Sequence, residues 1–377
     1  MINKKVYVIL LLTFLQTSIF AQDKLTVRPV GRILMDGGFF ESNQVGLNNG
    51  IGIPDFRIGA MATFGKFTAY IDVCYARNKV RMKDVTIEGK LDTRNIVTLG
   101  YFYQQFGLQG SFSSSRKITM LEPGIDGLFV GGRQIGIMWV HDHHDFWNAL
   151  SLTIEEEAMS KTTAELGNPG YGILSRTVYR PLREPGRIFH IGFSWAYDTP
   201  KYHEDTELNH SSYILCGYFP TQLSSLKTTE AIITQADHRW RFTPELCAAY
   251  GRIGIESQYY YMSIARENNL SAYQTSGGYV QIRGLLKGKH YEYNEANSWM
   301  GPVGKGVWEY VLGYSNIDLN HDKSKIEGGK MQDISLTLNH YFNKYITWRL
   351  RYSYTKVDSN AFDMSINALQ TRLQIMF

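Results

Sequence analysis

The densest run of groups able to do chemistry in this chain is Ser113-Ser114-Ser115-Arg116-Lys117. Three hydroxyls beside two cations supply the donors and positive charge that a partly desolvated oxyanion needs. Held against a wall, the run reads as an anion-binding constriction; in open solvent it is a polar loop with a chance basic pair. His141-Asp142-His143-His144-Asp145 offers imidazoles and carboxylates suited to a transition metal. It falls between two alternating segments, so a solvated polar turn is expected there and no metal. Glu155-Glu156-Glu157 opens a long connection and reads as a solvated loop start. Ser, His and Asp occur without a GxSxG nucleophile motif, so neither a catalytic residue nor a cofactor is expected.

The elements that must position these groups are strands. From end to end the chain shows alternating segments of about 8 to 13 residues, separated by breaks rich in Gly, Asn, Asp and Lys. The last is the clearest: Leu369, Leu373, Ile375 and Phe377 share one face, and Gln370, Arg372, Gln374 and Met376 the other. The pattern predicts strands near 28–38, 54–64, 67–77, 82–89, 94–103, 133–141, 146–155, 171–182, 188–198, 238–250, 253–264, 276–288, 305–317, 331–342, 345–356 and 366–377. Short connections such as Gly65-Lys66, Gly251-Arg252 and Asn343-Lys344 alternate with long ones at 40–53, 104–132, 156–170, 199–237 and 318–330. An even strand count with short turns on one rim and long loops on the other is the pattern of an all-β, transmembrane antiparallel barrel.

In such a barrel the apolar face meets lipid and the polar face the lumen. Alternation then sends Arg32, Arg57, Arg176, Arg180, Arg239, Arg241, Arg283, Lys287, Arg349, Arg351 and Arg372 inward, with Asp36, Asp72, Glu155, Glu245, Glu256, Glu309 and Asp333. A narrow lumen focuses that basic excess and favours anions, although about half of these side chains are expected to be paired across strands. Phe377 would close the last strand on its lipid face and serve as the signal read by a barrel-assembly machinery.

Composition agrees. Of 377 residues 14% are aromatic and 20% charged, which excludes disorder. A mean hydropathy of −0.25 and the lack of any apolar run of about 20 residues exclude a helical membrane bundle. The net charge of +4 includes Lys4 and Lys5 and is too small to argue for nucleic acid. Cys74, Cys216 and Cys247 fit neither a disulfide framework nor a CxxC site. Residues 1–21 read as a secretory signal, with Lys4 and Lys5 before the apolar Val6–Leu15 and Ser18-Ile19-Phe20-Ala21 preceding Gln22. Residues 22–377 then form one barrel in a bacterial outer membrane, in contact with its lipid.

Several stretches carry a family likeness. Asn95-Ile96-Val97-Thr98-Leu99-Gly100-Tyr101-Phe102 runs on through Gln105-Phe106-Gly107-Leu108 and the serine run to Leu121-Glu122-Pro123. Gly131-Gly132-Arg133-Gln134-Ile135-Gly136-Ile137, Gly277-Gly278-Tyr279-Val280-Gln281 with Leu286–Tyr291, and Gly306-Val307-Trp308-Glu309-Tyr310 with Tyr314–Leu319 follow in order. Together they resemble the phosphate-selective porins O and P. The resemblance implies a homotrimer of sixteen-stranded barrels, each narrowed by inward-folded loop three (104–132), loop five (199–237) and an inserted periplasmic turn (289–304). It also implies passive diffusion of small anionic solutes along basic residues. The chain departs from the family in loop five, where Ser211–Pro220 holds no arginine. A mildly anion-selective porin without tight phosphate binding is therefore expected. A barrel with a plugged lumen for adhesion or anchoring, and an outer-membrane barrel hydrolase, remain as other readings.

Overall fold

The computed structural model describes residues 24–301 and 303–377, so the expected secretory signal lies outside the described residues. The strands are, in chain order, β1 (Thr26–Ser42), β2 (Gly50–Phe64), β3 (Phe67–Ala76), β4 (Lys79–Lys90), β5 (Asn95–Tyr103), β6 (Arg133–His143), β7 (Phe146–Ile154), β8 (Tyr171–Glu184), β9 (Arg187–Asp198), β10 (Ser212–Tyr218), β11 (Lys227–Thr234), β12 (Ala236–Tyr250), β13 (Ile253–Arg266), β14 (Tyr273–Lys287), β15 (Tyr293–Asn294), β16 (Trp299–Met300), β17 (Val307–His321), β18 (Ile326–Tyr341), β19 (Ile346–Asp358) and β20 (Asp363–Met376). All but β10, β11, β15 and β16 form one closed antiparallel barrel of sixteen strands, each of them near a position the alternation predicted. β1 closes on β20 with Ile33 opposite Ile375, and Gly31 and Phe377 exchange backbone hydrogen bonds of 3.0 Å.

Period two explains both surfaces. Outward positions carry exposed Ile58, Leu99, Leu312, Ile334 and Leu336, which are lipid-facing in an outer membrane. Aromatics gather in two belts, where an amphipathic ring suits the lipid boundary. Trp195, Tyr197, Trp240 and Phe242 lie near the long-loop rim, and Trp308, His340 and Trp348 near the short-turn rim. Bulges interrupt the pattern locally, and one displaces an expected lumen residue. Between Leu285 and Lys287 the register with β17 slips, so Lys287 pairs with the outward Trp308. Lys287 is therefore exposed at the rim and does not line the lumen.

The lumen is not polar throughout. Near the long-loop rim the inner wall from β13 to β20 presents Met262, Ile264, Tyr273, Ile317, Leu319, Met331, Val357, Met364 and Ile366, all buried. Alternation assigns these to the inside but says nothing of their cover. The cover is the β10–β11 hairpin of loop five, whose Tyr213, Leu215, Ala231 and Ile233 meet that wall, together with Ile125, Leu128 and Phe129 of loop three. Each Val, Leu, Ile, Phe or Met side chain among them that leaves water contributes about 1.5–3 kcal/mol. At the other rim the inserted turn folds in to bury Tyr291, Trp299 and Met300 against Leu285, Val307 and Cys247.

Candidate functional site

Loop three crosses the lumen and is fastened to the wall by arginines. Arg241 donates to the Phe129 carbonyl (2.5 Å), Arg349 to those of Ser115 (3.1 Å) and Lys117 (2.9 Å), and Arg372 to that of Met120 (2.5 Å). Asn339 donates to the Ile118 carbonyl (2.8 Å), and the Gly107 N–H reaches Ser194 Oγ (2.9 Å). Arg176 and Arg180 hold the inserted turn in the same way, through the carbonyls of Asn297 (2.8 Å), Ser298 (2.7 Å) and Glu295 (2.6 Å). A guanidinium offers five donors, enough to satisfy a loop carbonyl and a carboxylate together.

Each of these lumen arginines except Arg349 also has an acidic partner. Arg176 meets Glu245 (2.7 Å), Arg180 meets Asp142, Arg239 and Arg241 share Asp198 (2.7 and 2.9 Å), and Arg283 spans Glu256 (2.8 Å) and Glu309 (2.6 Å). Arg351 pairs with Asp333 (2.5 Å) and Arg372 with Asp36 (2.7 Å). Arg349 is buried among carbonyls and Asn339. The basic excess expected to attract anions is thus mostly neutralised and withdrawn from water.

The constriction run is placed differently from expectation. Ser113 and Ser114 accept hydrogen bonds from Arg32 (2.6 and 2.8 Å), so their oxygens brace the loop. Ser115 is buried and donates to Ser113 (3.2 Å). Lys117 is buried as well, its ammonium bonded to Gln109 (2.5 and 2.9 Å) and lying 4.4 Å over the Phe112 ring. Arg116 alone of the five keeps a charged head without an ion-pair or hydrogen-bond partner among the described residues, on the lining of an open cavity.

That open space lies between loop three and the wall from β1 to β6. A cavity of about 460 Å³ is bounded by Arg32, Arg57, Tyr70, Thr86, Thr98, Ser113 and Arg116. A smaller one of about 190 Å³ adjoins it along Arg57, Asp84, Tyr103, Gln105 and Ser113. A third, of about 480 Å³, opens between loops three and five with Lys201, Tyr202 and Arg239 in its lining. Tyr103 borders all three. The first two carry Arg32, Arg57, Arg116 and Arg133 against Asp72, Asp84, Glu88 and Glu122, so their formal side-chain charges cancel.

Around that wall each charge has an unlike neighbour, and Asp72 and Asp84 form the one like-signed junction of the series. Arg32 pairs with Asp55 (2.7 Å), Asp55 with Arg57 (3.0 Å) and Arg57 with Asp72 (3.4 Å); Asp72 accepts from the Asp84 N–H (2.7 Å), and Asp84 pairs with Arg133 (2.8 Å). Sequence reasoning placed Arg32, Arg57 and Asp72 in the lumen, named Glu122 and Arg133 only within the family likeness, and missed Asp84 and Glu88. Period two along β4 does put Asp84, Thr86 and Glu88 on one face, so that signal was present.

Asp126, in the last part of loop three, is fully buried. Tyr260 donates to its Oδ1 (2.8 Å) and Oδ2 has no partner. Burial pushes this carboxyl up to about 7; Glu122 adds to the rise, while Lys117 and the Tyr260 hydrogen bond oppose it. Among the described residues no group of three or more His, Cys, Asp or Glu is assembled to hold a metal. His141 instead contacts Asn95 (2.9 Å). Glu155, read as a solvated loop start, is buried and takes the Gly170 and Tyr202 N–H groups (both 2.5 Å), joining the connection 156–170 to loop five.

Residues 43–377 match the family described as phosphate-selective porin O and P. The chain belongs to that family. The porin is also similar to OmpT of Vibrio cholerae folded in vitro, at 12% identity over 96% of this chain and 100% of that one, with a TM-score of 0.61. A trimer form of OmpT gives 11%, 94%, 100% and 0.62. The outer membrane channel DcaP of Acinetobacter baumannii gives 10%, 94%, 97% and 0.56. At such identity the likeness shows the fold. No curated protein matches the porin. It is a protein of the bacterial outer membrane, and small solutes diffuse through it.

Proposed function

We propose that solutes pass between loop three and the wall from β1 to β6, in a channel of weak charge preference without catalytic activity. The observation that carries this reading is the matched lining of Arg32, Arg57, Arg116 and Arg133 with Asp72, Asp84, Glu88 and Glu122. A net anion preference of the kind expected from the wall arginines needs an excess of bare positive charge, and ion pairing has removed it. Tight phosphate binding has no support in loop five either, since β10 and its flanks carry no arginine to replace the hydration shell of the ion. A homotrimer is the assembly we infer, supported by the trimer form among the similar structures. The barrel-assembly machinery remains the expected partner in folding.

Reversal potentials in a potassium chloride gradient across a planar bilayer test the reading. A value near zero is expected. A steep chloride preference, or block of chloride current by micromolar phosphate, would overturn it, and a barrel that passes no current would favour a plugged, structural role.

A further inference from the structure

Resting on that proposed path, we infer that its preferred cargo is a small zwitterion, a solute bearing one ammonium and one carboxylate, such as a free α-amino acid. The path offers three charged heads with no ion-pair or hydrogen-bond partner among the described residues: Arg116 on loop three, Glu88 on β4 and Glu122 on loop three. All three are half-buried, so each faces the cavity with part of its hydration already lost. Arg116 and Glu88 border the same cavity from different sides, the loop and the wall. A solute between them can turn its carboxylate to the guanidinium and its ammonium to the carboxylate, and charge-assisted hydrogen bonds of this kind are the stronger ones. Glu122 repeats the ammonium partner in the smaller cavity, where Arg57 and Arg133 stand for the carboxylate.

The fixed ion pairs sharpen the choice. The band from Arg32 through Asp55, Arg57 and Asp72 to Asp84 and Arg133 sets three cations against three carboxylates and so has little net field at a distance. A simple anion or cation therefore gains nothing on approach and still sheds water on entering the half-buried path. A zwitterion also has no net charge, yet its dipole can align with the local field between unlike neighbours.

Tracer uptake into vesicles holding the reconstituted full chain, in salt that balances charge, separates the cases. Glutamine, glutamate and lysine have similar size and net charges of zero, minus one and plus one at neutral pH. Glutamine should enter at least about twofold faster than either. Changing Arg116, Glu88 and Glu122 together to Gln should remove that advantage, read as the ratio of each amino acid's entry to that of an uncharged sugar of like size. R116Q alone should favour lysine over glutamate, and E88Q the reverse. Faster entry of glutamate than glutamine, or an advantage that survives the triple change, would overturn the inference and leave the channel reading intact. If neither the amino acids nor the sugar enter, the channel reading falls and the inference with it.

Discussion

Phe112 of loop three stacks on Trp299 of the inserted turn, with ring centroids 4.9 Å apart and planes inclined by 26°. The ammonium of Lys117 also lies over the Phe112 ring. Two connections from opposite rims thus meet inside the barrel and steady each other. Phe112→Ala should weaken the docking of loop three by on the order of 1–3 kcal/mol. Single-channel recordings should show more frequent current steps, and Phe112→Leu a smaller effect.

Asp126 gives the loop a pH dependence. Its carboxyl is raised to about 7 when docked and returns to its ordinary value when the loop is released. The docked state therefore binds the proton more tightly, and docking weakens as pH rises from about 4 through about 7. Current fluctuations should grow across that interval and level off above it. Asp126→Asn, which keeps the shape without the titration, should flatten the profile.

Arg372 and Asp36 form a buried pair that also fixes the Met120 carbonyl. Arg372→Met leaves a buried carboxylate alone, which costs about 3–5 kcal/mol. The temperature at which the folded band is lost in detergent gels should fall clearly. Asp36→Asn in the same chain should restore part of it.

With Cys74, Cys216 and Cys247 replaced by Ser, cysteines at Thr86 and Thr98, which line the cavity shared with Arg116, should react with small water-soluble thiol reagents. Cysteines at Thr337 and Ser353, which also point inward but are fully buried, should not. Equal reaction at all four would place the path elsewhere.

Phe377 lies over Gly31, and a Cβ built at Gly31 comes within 2.5 Å of the Phe377 ring. Gly31→Leu should therefore lower recovery of folded barrel from outer membranes, and deleting Phe377 should lower it further. Unchanged recovery from both would mean that closure does not depend on this contact.

Sixteen wall strands were legible because lipid on one side and protein on the other impose period two on every strand. Inward placement of Arg176, Arg283 and Arg349 followed from the same count. What each inward arginine touches did not, because pairing depends on register between strands and on loops folding back from distant positions. Arg349 reaches Ser115 and Lys117 more than two hundred positions away. The β10–β11 hairpin was missed as structure inside a loop, although Tyr213, Leu215, Ile233 and their neighbours alternate as wall strands do. Lys287 was misplaced because a bulge adds a residue without any mark in composition.

The apolar packing of loops three and five against the inner wall gives this membrane protein a second kind of stability. Its outer face rests in lipid, but Ile317, Met331, Phe129 and Ile233 are shielded from water by other side chains, as in a protein that never meets a membrane. Releasing the loops would wet that surface and raise the heat capacity, while the wall stayed in the bilayer. The interior should therefore melt as a separate transition ahead of the wall, and it should loosen with urea and with cooling in ways the lipid-embedded surface does not share.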